Sequence, residues 1–131
     1  VPVVGYGTSS FPAFYARESG CTVEAQVESA EEAAALLQAK WRLGLRGGVL
    51  FANPIPRDDA LDQSELEAII TAALDEMAER GISGKETTPF LLARVSELTN
   101  GRSLDANVAL VLNNAGVAAR IAVACSAQAG G

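Results

Sequence analysis

The sequence predicts an α/β protein: a sheet flanked by helices on both faces, forming an incomplete part of a larger α/β/α domain. Three observations lead there. Strand and helix patterns follow one another in the order strand, strand, helix, strand, helix, helix, helix. The run Gly47-Gly48-Val49-Leu50-Phe51-Ala52 is apolar on both faces, the pattern of a central strand covered on each side. Few other strands are legible to flank it, so another segment or subunit is expected to supply its neighbours. With 131 residues, the chain has the length of one domain or part of one.

Each element has a local cause. Val1-Pro2-Val3-Val4 is a short apolar run that stops at Gly5-Tyr6-Gly7, a buried strand ending in a turn. Residues 8–21 mix Gly, Pro and Ser with Phe11, Phe14 and Tyr15, and read as a loop with a short helical turn after Pro12. Cys21 to Val27 alternates as an edge-like strand. Ser29-x-x-Glu32 is a capping box. Its helix runs to about Leu43, where Gly44 supplies a left-handed stop. The strand over Gly47–Ala52 ends at Asn53-Pro54-Ile55-Pro56, because two prolines remove two ladder donors. Ser64-x-x-Glu67 is a second capping box, with a helix to Arg80 and a stop at Gly81. Thr88-Pro89 reads as an N-cap with proline at the first helical position, and that helix runs to about Asn100. Ser103 is expected to cap the last and longest helix, to roughly Cys125, with residues 126–131 a frayed tail.

Composition excludes several classes. Apolar residues make up 49% and charged residues 20%, which is globular and not disordered. Aromatics are only 5%, so the core must be built from Ala, Val, Leu and Ile. Sixteen acidic residues outweigh ten scattered basic ones, for a net charge of −6. Nucleic acid and anionic membranes are therefore not expected partners. No uninterrupted apolar run reaches the ~18 residues of a membrane span. Histidine is absent, which removes imidazole bases, His metal sites and Ser-His-Asp systems from this chain. Cys21 and Cys125 are far apart and read as two thiols in a reducing, cytoplasmic compartment. The chain lacks an initiator Met and a basic leader, the expectation for a processed chain or a fragment.

Two glycine motifs fail as nucleotide loops. Gly5-Tyr6-Gly7 lacks the third glycine, and Pro12 stands where the helix should begin. Gly81-Ile82-Ser83-Gly84-Lys85-Glu86 follows a helix and has Glu86 where a phosphate loop needs Ser or Thr. Lys85 is nevertheless one of two lysines, and it leads into a helix N-terminus at Thr88, which favours anions. Either a solvated Lys-Glu turn or a pocket lining fits. Asn53 and Pro54 lie at the carboxyl end of a strand, where open α/β sheets bind ligands, and also fit a rigid turn. Asp58, Asp59 and Asp62 read as charges complementing a helix N-terminus.

The last helix carries the sharpest anomaly. At about 100° per residue, Leu104, Val108, Val111, Ala115, Ala118 and Ala122 form one apolar stripe. Asn107 and Asn114 flank it, one above the other, and Asn113 points away as a surface or contact residue. A buried amide must find partners. The flanking pair is read either as backbone-satisfied or as donors and acceptors for a ligand.

Several motifs fall together in order: Gly5-Tyr6-Gly7-Thr8 with Phe11-Pro12-Ala13-Phe14; Lys40-Trp41 with Gly47-Gly48; Ala52-Asn53-Pro54-Ile55-Pro56; Gly84-Lys85-Glu86 with Thr88-Pro89-Phe90-Leu91-Leu92-Ala93-Arg94; Asn107 with Asn113-Asn114. With these the sequence resembles the pseudouridine-5′-phosphate glycosidase family, also called indigoidine synthase A-like, from Val1 to about Ala122. Such chains are more than twice as long, and the resemblance covers only their C-terminal portion. It implies reversible cleavage of a C–C glycosidic bond to give uracil and ribose 5-phosphate. It also implies a Schiff-base lysine, an acidic proton donor and a divalent metal, manganese, held through an aspartate. Those groups, and most of the phosphate contacts, lie upstream of Val1 in the family, so no metal ligand is expected here and this chain alone is expected to be inactive. Asn107 matches the family's active-site asparagine. Asn53, Pro54, Lys85, Thr88 and Asn114 are the candidate substrate-binding residues. Lys85 belongs to a different motif from the Schiff-base lysine. The resemblance further implies homotrimers. The alternative is a catalytically silent binding or assembly module.

Overall fold

A computed structural model describes residues 1–129. Three short strands, β1 (Val3–Tyr6), β2 (Ala25–Val27) and β3 (Leu50–Ala52), form an all-parallel sheet in the order β2-β1-β3. Four helices accompany it: α1 (Ala30–Arg42), α2 (Gln63–Glu79), α3 (Thr87–Leu98) and α4 (Arg102–Ala129). The fold is α/β, a small parallel sheet flanked by helices, as the sequence predicts.

The centre of the sheet corrects one expectation. β1, not the 47–52 run, is central, and β3 is an edge strand with Leu50 exposed. Apolar content on both faces reports burial, not position in the order of strands.

Register explains the layers. Val4 aligns with Ala25 and Phe51, and Tyr6 with Val27, so these side chains share one face. That face packs under α1 and α4, joining Val4 and Val27 to Ala30, Ala33, Ala34, Val117, Ile121 and Ala124. Alanines in α1 let the backbones approach closely. The opposite face presents exposed Val3 and Leu50. Helices α2 and α3 belong to a second cluster built on Ile55, Leu66, Ala73, Val95, Ala106 and Leu110, which contains no strand residue. On that opposite face, Gly5 and Ala52 at the carboxyl end of the strands are buried while Val3 and Leu50 at the start are exposed.

Helix ends follow the expected chemistry with shifts of one to two residues. Ser29 Oγ accepts from Glu32 N–H at 3.2 Å, and the Glu32 carboxylate reaches back to Glu28 N–H at 2.8 Å. For α2 the cap is Asp62, not Ser64: Asp62 accepts from Glu65 N–H at 2.9 Å and from the Ser64 hydroxyl at 2.6 Å. Asp62-x-x-Glu65 satisfies the same pattern two residues earlier. Helix α3 starts at Thr87 after a 3₁₀ turn over Gly84–Glu86, so Thr88 lies inside the first turn instead of capping it. Ser103 is not a cap. It is buried, and its N–H donates to Thr99 Oγ1 at 3.1 Å. The loop over residues 8–21 holds two isolated bridges, Ser10 to Thr22 and Ala13 to Ala16, in place of a helical turn.

α4 departs furthest from expectation. It runs to Ala129, beyond the expected end near Cys125; Gly130 and Gly131 of the expected frayed tail lie outside the described residues. Its packed face is Ser103, Ala106, Leu110, Val117, Ile121 and Ala124. The stripe read from the sequence is the exposed one, with Leu104 59%, Val108 52% and Val111 57% exposed. The helix is apolar nearly all round, so periodicity alone does not select its packed face. With a mean hydropathy of 1.7 over its best window, α4 is also long and apolar enough to cross a membrane by length and composition, although no unbroken apolar run marks it. Here one side of it lies against α1 and the sheet.

Candidate functional site

β1 and β3 deliver their loops to the same, carboxyl end of the sheet. Gly7-Thr8-Ser9 follows β1, and Asn53-Pro54-Ile55-Pro56 follows β3. The second loop is held on three sides. Asn53 Nδ2 donates to Asn114 Oδ1 at 2.8 Å. Asn113 Nδ2 donates to the Pro54 carbonyl at 3.2 Å. Arg17 Nη1 donates to the Ile55 carbonyl. Ile55 itself is fully buried. Prolines 54 and 56 stiffen the segment, and α4 and Arg17 fix where it sits.

The asparagines differ in their engagement. Asn113 lies between Leu110 and Val117 at spacings of three and four, on the packed side of α4 and away from the exposed stripe, as a contact residue. It is half-buried and spends its amide on the Pro54 carbonyl. Asn114 is exposed, and its bond to Asn53 leaves its Nδ2 and the Asn53 Oδ1 free. Asn107 is half-buried and, among the described residues, its side chain has no hydrogen-bond partner. No buried side-chain polar atom is orphaned among those residues, so the Asn107 amide is reachable by solvent or a ligand.

Two concavities flank this end. A polar cleft of about 530 Å³ opens beside the β1 loop, lined by Gly7, Thr8, Ser9, Arg17, Arg57 and Asp62 among others. An apolar groove of about 670 Å³ runs along β3 between α1 and α4, with Asn53 and Asn114 at one end. Lys85 and Thr88 are exposed at the start of α3 and line neither. The structure thus brings Asn53, Pro54 and Asn114 together and leaves Lys85 and Thr88 outside that group.

Two groups act electrostatically near the site. Burial raises the Tyr15 phenol above its ordinary pKa, and the Ser103 hydroxyl bonded to it opposes that shift. The Ser64 hydroxyl and the Glu65 N–H hold the Asp62 carboxyl below its ordinary value. Cys21 and Cys125 are both free thiols. Among the described residues, no group of three or more His, Cys, Asp or Glu side chains is placed to hold a metal ion.

The sequence marks Asn113 as a surface or contact residue without its partner, and gives no sign of Arg17 as the other group that pins the 53–56 loop. The 110–113–117 spacing identifies Asn113 once the packed face of α4 is known. Arg17 carries no local signal, since its partner is 38 residues away.

The family model described as "Indigoidine synthase A like protein" matches residues 1–124. This chain belongs to the indigoidine synthase A-like family. It is 59% identical over 124 residues to a protein from Lysinibacillus sphaericus named pseudouridine-5′-phosphate glycosidase, covering 95% of this chain and 41% of that one. A relative of the same name from Hahella chejuensis is 57% identical over 122 residues, 93% of this chain and 40% of the relative. The chain thus spans about two fifths of the length of the curated relatives it matches. Among solved structures, the prealnumycin C-glycosynthase AlnA in complex with ribulose 5-phosphate superposes with a TM-score of 0.90 at 33% identity, over 99% of this chain and 43% of that one. An indigoidine synthase A-like protein from Thermotoga maritima superposes with a TM-score of 0.80 at 36% identity, over 94% of this chain and 40% of that one. Both solved structures therefore share the fold of this chain as part of a larger molecule.

Proposed function

We propose that this chain is the C-terminal portion of a pseudouridine-5′-phosphate glycosidase, which reversibly cleaves a C–C glycosidic bond to give uracil and ribose 5-phosphate. The observation that carries the reading is 57–59% identity, over at least 93% of this chain, to relatives of that name. The neighbour AlnA, whose name places it in C-glycoside chemistry and whose structure holds a sugar phosphate, supports it.

In this reading Asn107 is the catalytic group of the portion. Its unengaged amide offers a donor and an acceptor without titrating, suited to a substrate hydroxyl or a uracil edge. Asn53 and Asn114 present the free acceptor and donors of their shared bond, and Pro54 forms a rigid wall. Lys85 and Thr88 stand at the N-terminus of α3, outside that group, where a helix favours an anion; they contact substrate only in an assembly that brings another part of the site to α3. Breaking a C–C glycosidic bond needs an electron sink at the sugar carbon, the role of a lysine iminium. That lysine, the acidic proton donor and the aspartate for manganese belong to the upstream portion of the family chain. Among the described residues no cluster is placed to hold a metal, and no step here runs through one. The assembled enzyme is proposed to be a homotrimer.

The test is to join this chain in frame behind the upstream portion of the Lysinibacillus sphaericus relative. With manganese present, the chimera is expected to release uracil from pseudouridine 5′-phosphate, and the 131-residue chain alone to release none above a heat-killed control. A folded but inert chimera supports the silent-module alternative instead.

A further inference from the structure

The two edges of the sheet are not alike. β2 ends the sheet among exposed polar residues, Glu24, Gln26 and Glu28, the kind of edge that discourages further pairing. β3 ends it beside the apolar groove, whose walls include Leu37 and Trp41 of α1, Phe51, and Val117 and Ile121 of α4. Ala118 and Ala122 also line it, so a neighbour can approach α4 closely there.

The hydrogen-bonding direction of β3 is fixed by its register. Leu50 N–H donates to the Pro2 carbonyl at 2.9 Å, and Leu50 pairs with Val3. In a parallel ladder, successive residues address opposite neighbours. Leu50 and Ala52 therefore face β1, while the backbone groups of Val49, Phe51 and Asn53 face outward. An apolar groove beside an outward-facing row of donors and acceptors is the seat of another strand, not of a small ligand alone.

We propose that the open edge of β3 receives a parallel strand from the upstream portion of the family chain, with apolar side chains at alternate positions filling the groove between α1 and α4. The length of related molecules identifies the occupant. AlnA matches 99% of this chain with only 43% of its own length, so more than half of such a molecule lies outside the part shared here. The strands of this chain are all parallel, and a further parallel strand must come through a crossover, which a longer chain provides. A second copy of this chain meeting β3 edge to edge about a two-fold axis would pair antiparallel. The inference rests on the family reading, but its readout does not depend on activity.

Amide hydrogen exchange tests it, comparing the 131-residue chain with the chimera described above. Leu50, bonded to Pro2, is the internal reference. Phe51 N–H is expected to exchange rapidly in the isolated chain and at least about 100-fold more slowly in the chimera, approaching Leu50. Phe51 exchanging freely in an active chimera overturns the proposal and leaves the functional reading intact. Protection of Phe51 in an inactive chimera supports the strand and counts against the function. Phe51 protection that rises with the concentration of the isolated chain means that a second copy holds the edge, and also overturns the proposal. Should the isolated chain be insoluble, the ratio of Phe51 to Leu50 exchange within the chimera decides alone.

Discussion

Asn107→Ala separates a catalytic amide from a structural one. The Asn107 side chain has no internal partner among the described residues and is half-buried. Its removal therefore costs no hydrogen bond, and alanine is the better helix former, so the change in stability should stay within about 0.5 kcal/mol. Asn113 is the contrast. It donates to the Pro54 carbonyl at 3.2 Å beside a buried proline. Asn113→Ala strands that carbonyl and should cost on the order of 1–3 kcal/mol. Activity should follow a different order. Loss of a positioned hydrogen bond to the reacting centre lowers turnover about 10²-fold, close to 2.7 kcal/mol in the barrier. Urea unfolding followed by the fluorescence of Trp41, the single tryptophan, measures stability. Uracil release per folded molecule of the chimera measures turnover. The expected pattern is Asn107→Ala stable and slow, with Asn113→Ala destabilised. If Asn107→Ala loses activity only in proportion to folded protein, the amide is structural and the site assignment fails.

Other expectations follow from the same contacts. A Cβ on Gly5 would sit 1.9 Å from the Thr8 carbonyl oxygen, so Gly5→Ala should displace the 7–9 loop and lower the melting temperature sharply; an unchanged melt would show that the loop does not approach there. Ile55 is fully buried where the β3 loop enters the second cluster. Ile55→Ala should cost about 2–5 kcal/mol and Ile55→Val about 0.5–1.5 kcal/mol, and equal losses in urea titrations would contradict its packing. The raised pKa of Tyr15 favours the neutral phenol in the fold. Its contribution is fully present below about pH 10 and lost as pH rises through the folded value, so Tyr15→Phe should flatten the alkaline limb of a stability-versus-pH curve. The lowered pKa of Asp62 works in the opposite sense, its contribution present above about pH 3.9 and lost as pH falls through the folded value. Asp62→Asn should keep the cap and remove that acid limb.

How much the residues revealed depended on whether the cause was local. Ser29, Gly44 and Gly81 mark helix ends because capping and left-handed stops involve neighbours a few positions away. The choice between Asp62 and Ser64 was not legible, since both head an equivalent pattern two residues apart. The centre of the sheet was not legible either: Phe51 and Ala52 are apolar in a central strand and in an edge strand awaiting a neighbour. α4 hid its packed face because Leu104, Val108 and Val111 match Leu110, Val117 and Ile121 in apolar character, and only tertiary contact distinguishes them. The flanking asparagines at 107 and 114 stood out as polar groups beside an apolar stripe. A contact role for Asn113 was legible, but not its partner, the Pro54 carbonyl 59 residues away.

The most direct measurement is the steady-state rate of uracil release from pseudouridine 5′-phosphate by the chimera, set beside the intact Lysinibacillus sphaericus relative under identical manganese. The expected kcat/KM lies within about tenfold of the relative, a difference of at most roughly 1.4 kcal/mol in the barrier, because the shared segment supplies the same groups at the same places. A chimera that is folded, holds its C-terminal portion in place by exchange protection, and yet releases no uracil above background would contradict it.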